Sequence, residues 1–134
     1  MPITIRVKDR MSKDIKSIES SSSILDAVKF MNSENIGAIL VNENGTHIGV
    51  LTERDIIRAV SENGSTNKLV KEFMSKPPIK ISQDANIGRA TQMMITKNIR
   101  RLFVEDENNN IVGFIDIKQL MRTVHSSFLA LFDI

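Results

Sequence analysis

A repeat runs through the chain and constrains its architecture before any element is assigned. Val7, Lys8, Met11, Ser12 and Lys13 recur as Val70, Lys71, Met74, Ser75 and Lys76, sixty-three residues later. The register continues through Ile18 and Ile81, Ile24 and Ile87, Ala27 and Ala90, Met31 and Met94, Asn35 and Asn98, Ile36 and Ile99, and Val41 and Val104. Beyond that point the second copy gains one residue, so that Gly49 matches Gly113 and Arg58 matches Arg122 at an offset of sixty-four. A single added residue is best tolerated in a hairpin turn. The chain of 134 residues is therefore read as two copies, residues 1–63 and 64–134, each too small to bury a core alone.

The local signals are the same in both copies. In the first, Ser23 followed by Asp26 predicts a helix start, and Ile24, Ala27, Val28 and Met31 keep helical spacing up to about Asn35. Ala38 to Val41 is a short apolar run, NENG carries an Asn-Gly turn, and His47 to Leu51 is a second strand-prone run. Thr52 then opens another helix, with Ile56, Ile57 and Val60 on one face, which stops near Glu62 to Ser65. The second copy predicts a helix over Ile87 to Lys97, strands over Leu102 to Glu105 and Ile111 to Ile115, and a helix from Ile117 onward. A strand precedes each copy's first helix, over Ile15 to Ile18 and Ile79 to Ile81. The fold class is α/β, in tandem pseudo-twofold β-α-β-β-α repeats with small mixed sheets and flanking helices, the two copies packing around a cleft.

Composition narrows the function. Hydrophobic residues at 41% and charged residues at 25% are ordinary for a chain that folds in water. The longest apolar stretch, Ile36 to Val41, is far shorter than the roughly 20 residues needed to cross a bilayer, so no membrane role is expected. The first residues lack the apolar block of a secretory signal, and cysteine is absent, so a cytoplasmic home is expected. Eighteen basic and sixteen acidic residues are well mixed, giving a net charge of +2 and no basic face for nucleic acid. His47 and His125 stand far apart, without partners at metal-ligand spacing, so no metal is expected. There is no Gly-rich phosphate loop and no Ser/His/Asp or Cys/His set, so neither catalysis nor a catalytic cofactor is expected.

IGAILV followed by GVLTERD in the first copy, and NIRRLFVED followed by GFIDIKQ in the second, with the lead-ins VKDRMS and VKEFMS, resemble the CBS-pair, or Bateman, family over about Val7 to Arg122. The resemblance implies a regulatory module that binds an adenosine-containing ligand in the cleft between motifs. AMP, ADP or ATP are the expected ligands, with S-adenosylmethionine as a relative. Thr52 and Asp55 match the family's ribose-binding positions; the same spacing is also a capping box that needs no ligand. Arg100 and Arg101, and Arg54 within TERD, match phosphate-binding positions, although Arg100 and Arg101 equally suit the solvated start of a strand. For adenine the candidates are Ile18, Ile36, Gly37 and Ala38, although apolar residues of this kind more often serve as plain core. Asp116 and Gln119 replace the ribose pair in the second copy and lack its carboxylate, so the second site is expected to be weak, vacant or altered in specificity.

The last helix carries more apolar surface than the repeat needs. Ile117, Leu120, Met121, Val124, Phe128 and Leu131 keep helical spacing, and Leu129, Phe132 and Ile134 widen the stripe. With the family's habit of pairing modules, this predicts a homodimer, the other reading being a tail folded onto its own chain. Because the sequence holds nothing but the pair, its output is expected to act on a separate protein in trans. The runner-up function is a ligand-free dimerisation or protein-interaction module.

Overall fold

Two short apolar strands closed by a short turn recur in the computed structural model, which describes residues 4–64 and 66–131. The elements are β1 (Ser17–Glu19), α1 (Ile24–Glu34), β2 (Ala38–Glu43), β3 (Thr46–Thr52), α2 (Glu53–Asn63), β4 (Lys80–Ser82), α3 (Ile87–Lys97), β5 (Arg101–Glu105), β6 (Ile111–Asp116) and α4 (Ile117–Leu131). β1-β2-β3 and β4-β5-β6 form two three-stranded sheets, each with one parallel and one antiparallel pairing. The expected β-α-β-β-α order holds in both copies. The first strand lies slightly later than its expected span of Ile15 to Ile18.

Local chemistry explains the boundaries. Ser23 and Asn86 accept from the backbone N–H three residues on, opening α1 and α3. At Ser23 this is half of the expected capping box, since the side chain accepts the Asp26 N–H while the Ser23 N–H does not donate back to the Asp26 carboxylate. Asn35 and Asn98 close the same helices in the left-handed region, at φ 55° and 53°. Asn44 and Gly45, at φ 52° and 79°, supply the two positive angles of a tight hairpin turn between β2 and β3. In the second sheet the turn is one residue longer: Asn42 pairs with His47, whereas Glu105 pairs with Ile111. Asp106 fills that longer turn by accepting from the Asn108 and Asn110 N–H groups.

The compact units do not follow the repeat. A continuous unit runs from Lys16 to Pro78, and a discontinuous unit joins the residues up to Ile15 with Ile79 onward. The sequence boundary at 63/64 separates two homologous stretches, whereas packing assigns each lead-in to the other copy. In the continuous unit Val70 and Phe73 join a core of Ile24, Ala27, Met31, Ile39, Val41, Leu51 and Ala59. In the discontinuous unit Val7 joins Ile81, Ala90, Met94, Leu102, Val104, Ile115 and Leu120.

Hydrogen bonds show why the exchange is stable. Ser75 and Val50 exchange both backbone bonds at 2.9 Å, adding the lead-in to the edge of β3; Ser12 and Phe114 do the same on β6 at 2.8 and 2.9 Å. Val70 N–H donates to Ser22, and Val7 N–H donates to Ala85. The edges that would otherwise present unpaired backbone are thus partly covered. Close approach requires glycine on the sheet side: a Cβ at Gly49 would stand 2.7 Å from the Ser75 carbonyl oxygen, and one at Gly113 would stand 2.6 Å from that of Ser12.

Among the described residues no helix is long and apolar enough to cross a membrane. α4 exceeds α2 by one turn, at 15 residues against 11. Of the expected tail stripe, Phe132 and Ile134 lie outside the described residues, as does the side chain of Phe128.

Candidate functional site

In the continuous unit the candidate residues collect at the N-terminus of α2. Ala38 pairs with Thr52 across β2 and β3, and the Glu53 N–H donates to the Gly37 carbonyl at 3.1 Å. These contacts tie the start of β2 to the start of α2. Gly37, Ala38, Thr52, Arg54 and Asp55 therefore share one corner of the unit. Ile18 does not: it stands on β1, two strands from Thr52 and thus roughly 10 Å away across the sheet. Ile18 and Ile36 are partly buried and pack against the unit's apolar core.

The Thr52–Asp55 pair forms a reciprocal cap. The Thr52 N–H donates to Asp55 Oδ2 at 2.8 Å, the Thr52 hydroxyl donates to the same oxygen at 3.1 Å, and the Asp55 N–H donates to Thr52 Oγ1 at 3.4 Å. Asp55 is only 6% exposed. Its other oxygen, Oδ1, faces Arg58 Nη2 at 3.8 Å, within ion-pair range but longer than a hydrogen bond. An ionised carboxylate has about four acceptor positions, so capping leaves capacity on Oδ1. Arg58 was not singled out from the sequence. Its guanidinium lies 5.1 Å from the centre of the Phe73 ring and donates to the Phe73 carbonyl at 2.9 Å. The Asp55/Arg58 spacing was legible as an i,i+3 pair, but its link to the lead-in fifteen residues later was not. Arg54 is exposed in the first turn of α2.

The same corner of the discontinuous unit is built from different side chains. Arg100 and Arg101 occupy the repeat positions of Gly37 and Ala38: Arg101 pairs with Asp116, and the Arg100 carbonyl accepts from Ile117 at 2.9 Å. Arg100 is exposed and Arg101 half-buried. Asp116 and Gln119 cap α4 reciprocally, with the Gln119 N–H donating to Asp116 Oδ1 at 3.1 Å and the Asp116 N–H donating to Gln119 Oε1. The backbone frame is conserved between copies while small residues become arginines and a carboxylate becomes an amide. Among the described residues no group of three or more His, Asp or Glu side chains is placed to hold a metal ion. His47 lies on β3 and His125 on α4.

A family model described as the CBS domain matches the chain twice, over residues 7–62 and 70–126. The chain belongs to the CBS-domain family. Both matches begin at the lead-ins, so the family's sequence unit is the repeat and not the compact unit. CBS-domain proteins are generally regulatory modules.

Among relatives, this CBS chain is 34% identical over 113 residues to a probable arabinose 5-phosphate isomerase of Haemophilus influenzae, covering 83% of the chain and 34% of that protein. It is 33% identical to the CBS domain-containing protein YhcV of Bacillus subtilis, covering 85% of the chain and 81% of that protein. The chain thus spans about a third of the isomerase and most of YhcV. Among solved structures, the CBS domain pair of protein MJ0100, in complex with 5′-methylthioadenosine and S-adenosyl-L-methionine, matches with a TM-score of 0.83 at 26% identity, covering 93% of this chain and 99% of that one.

Proposed function

We propose that this CBS pair is a non-catalytic regulatory module that binds an adenosine-containing compound through Thr52 and Asp55 and modulates a separate protein in trans. The observation that carries the reading is the state of Asp55: nearly enclosed, held by its own cap through Oδ2, and left with acceptor capacity on Oδ1 toward Arg58. A ribose diol donates two hydroxyls, and charge-assisted bonds from them are worth about 1.5–3 kcal/mol each. The adenosine compounds carried by the MJ0100 pair support this ligand class. Adenine contacts are assigned to Ile36, Gly37 and Ala38 beside Thr52, Ile18 standing two strands away, and phosphate contacts to Arg54, with Arg100 and Arg101 at the matching corner of the discontinuous unit, for a ligand of the AMP, ADP or ATP class. Asp116 and Gln119 form the weaker counterpart, because a neutral amide holds a diol less firmly than a carboxylate. A cysteine-free chain of this kind suits the reducing cytoplasm.

Self-association is part of the proposal. Ile57 and Val60 on α2 are 69% and 43% exposed, and their repeat partners Met121 and Val124 on α4 are each 61% exposed. An apolar pair recurring at the same exposed positions of two helices supports a homodimer.

Thermal unfolding against AMP, ADP, ATP, S-adenosylmethionine and 5′-methylthioadenosine tests the ligand reading. A ligand at 100 times its Kd adds about 2.7 kcal/mol of stability, and Asp55→Ala is expected to abolish the gain. The exposed apolar pairs also favour a second reading, a ligand-free dimerisation or docking module. No gain with any compound would favour that reading instead, whereas an equal gain in Asp55→Ala would show that a bound compound does not use Asp55.

A further inference from the structure

In the discontinuous unit the lead-in and α4 line a pocket together. Arg10, Gln119, Arg122, Thr123 and Ser126 line a cavity of about 230 Å³, several times the roughly 30 Å³ that one water occupies. Arg10 comes from the lead-in; the other four come from the first three turns of α4. The repeat positions in the continuous unit are Phe73, Asp55, Arg58, Ala59 and Glu62. There the aromatic ring is buried, the guanidinium lies over it, and Asp55 faces that guanidinium at 3.8 Å. One arginine is matched by two acids among those five positions. In the discontinuous unit the ring has become a second arginine and both acids have become neutral.

Two guanidinium groups therefore line one cavity without a carboxylate among its walls. Arg10 uses one N–H, from Nη1 to the Asp9 carbonyl at 3.1 Å, of the five a guanidinium offers. The Arg122 side chain makes no hydrogen bond or ion pair among the described residues. Thr123, 8% exposed, donates its hydroxyl to the Gln119 carbonyl at 3.0 Å and so keeps an oxygen that only accepts. Gln119, which lines the pocket, has its Oε1 committed to its cap, so that only its amide N–H groups are left to donate. Like charges converging on one cavity repel unless an anion sits between them, and guanidinium forks meet tetrahedral oxyanions with paired bonds.

We propose that this pocket binds an oxyanion of the phosphate class, held by Arg10 and Arg122 with the Gln119 amide. The exchange of Asp55 for Gln119 then changes which group is recognised as well as weakening ribose binding. Inorganic phosphate and a phosphate monoester share this chemistry. The site does not depend on the ribose reading at Asp55, and a probe without ribose keeps the two separate.

Inorganic phosphate titrated into the 15N-labelled full chain, at ionic strength held constant with sodium chloride, is the direct test. Saturable shifts are expected at the amides of Arg10 and residues 119–126. Arg122→Gln and Arg10→Phe are each expected to weaken binding by about tenfold or more, the loss of one charge-assisted contact. Gln119→Asp keeps both arginines but restores the carboxylate of the other copy, and it is expected to abolish binding by pairing with them. Asp55→Ala is expected to leave phosphate binding unchanged. Both arginines are exposed and Phe occupies the Arg10 position in the other copy, so folding should survive; if one variant fails to fold, the remaining two decide. Glycerol 3-phosphate in parallel distinguishes a monoester from the free ion by which binds more tightly. Non-saturating shifts spread over the basic surface, or equal affinity in Arg122→Gln and Gln119→Asp, would overturn the proposal.

Discussion

Substituting alanine at Gly49 or Gly113 tests the lead-in exchange most directly. The added methyl at Gly49 would stand 2.7 Å from the Ser75 carbonyl oxygen and 2.9 Å from Met74 Sδ. A carbon and an oxygen rest at about 3.3 Å or more, so the lead-in must retreat by about 0.6 Å. Its two bonds to Val50 begin at 2.9 Å, and that retreat brings both to the edge of hydrogen-bond range, about 3.5 Å. Two lost bonds cost about 1–3 kcal/mol together, the same range as overpacking a filled site. Alanine also lowers the entropy of the unfolded chain, which offsets about 0.4–1 kcal/mol. The net expectation is a loss of about 1–2 kcal/mol for Gly49→Ala, and the same for Gly113→Ala, where the Ser12 oxygen is at 2.6 Å. Urea unfolding followed by circular dichroism reads this as a midpoint lowered by about 0.5–1 M at a slope of about 2 kcal/mol/M. If either variant stays within about 0.5 kcal/mol of the parent chain, the lead-in is not held against that glycine and the packing argument is wrong.

Val7→Ala and Val70→Ala should each destabilise by about 2 kcal/mol, through two lost methyl groups and a residual void, in equilibrium unfolding; a surface-like loss below about 0.5 kcal/mol would contradict their burial. Thr52→Ala removes the hydroxyl that takes the Asp55 N–H and should cost about 0.5–2 kcal/mol in the same assay, with or without ligand. Replacing Ile57 and Met121 together by lysine should halve the mass measured by light scattering while leaving the circular dichroism spectrum unchanged; an unaltered mass would exclude these faces from the dimer contact. Asn44→Ala puts a side chain without local hydrogen-bonding ability at positive φ and should lose about 1 kcal/mol by thermal unfolding.

The elements of both copies could be read from the sequence because periodicity, caps and turn residues agree at each boundary. Ser23, Thr52, Asn35 and the Asn44–Gly45 turn all act locally, within four residues of the groups they satisfy. The exchange of lead-ins was not legible for the opposite reason. Val7 and Val70 are the same residue in the same local context, and a repeat shows which segments are alike without showing which copy each one packs against. The capping half of the Thr52–Asp55 reading followed from spacing and is present in full. Arg58 and Arg10 were missed because their surroundings come from segments distant in sequence. Phe73 reaches Arg58 only through the lead-in, and Arg10 lines a pocket with Arg122 only through the exchange.

The exchange also sets an order on synthesis. The continuous unit has all its parts once Pro78 has left the ribosome, with its lead-in following directly on its last helix. The discontinuous unit begins with a segment made before the continuous unit and must wait for one made after it: Arg6 and Lys8 find Asp84 seventy-eight and seventy-six residues later. Until β4, α3 and β6 exist, the stretch around Val7 and Met11 has no groove to occupy. Vectorial folding therefore runs from the middle of the chain outward, and a nascent chain stalled just after Pro78 has emerged from the ribosome should present a protease-resistant centre behind a cleavable N-terminal arm.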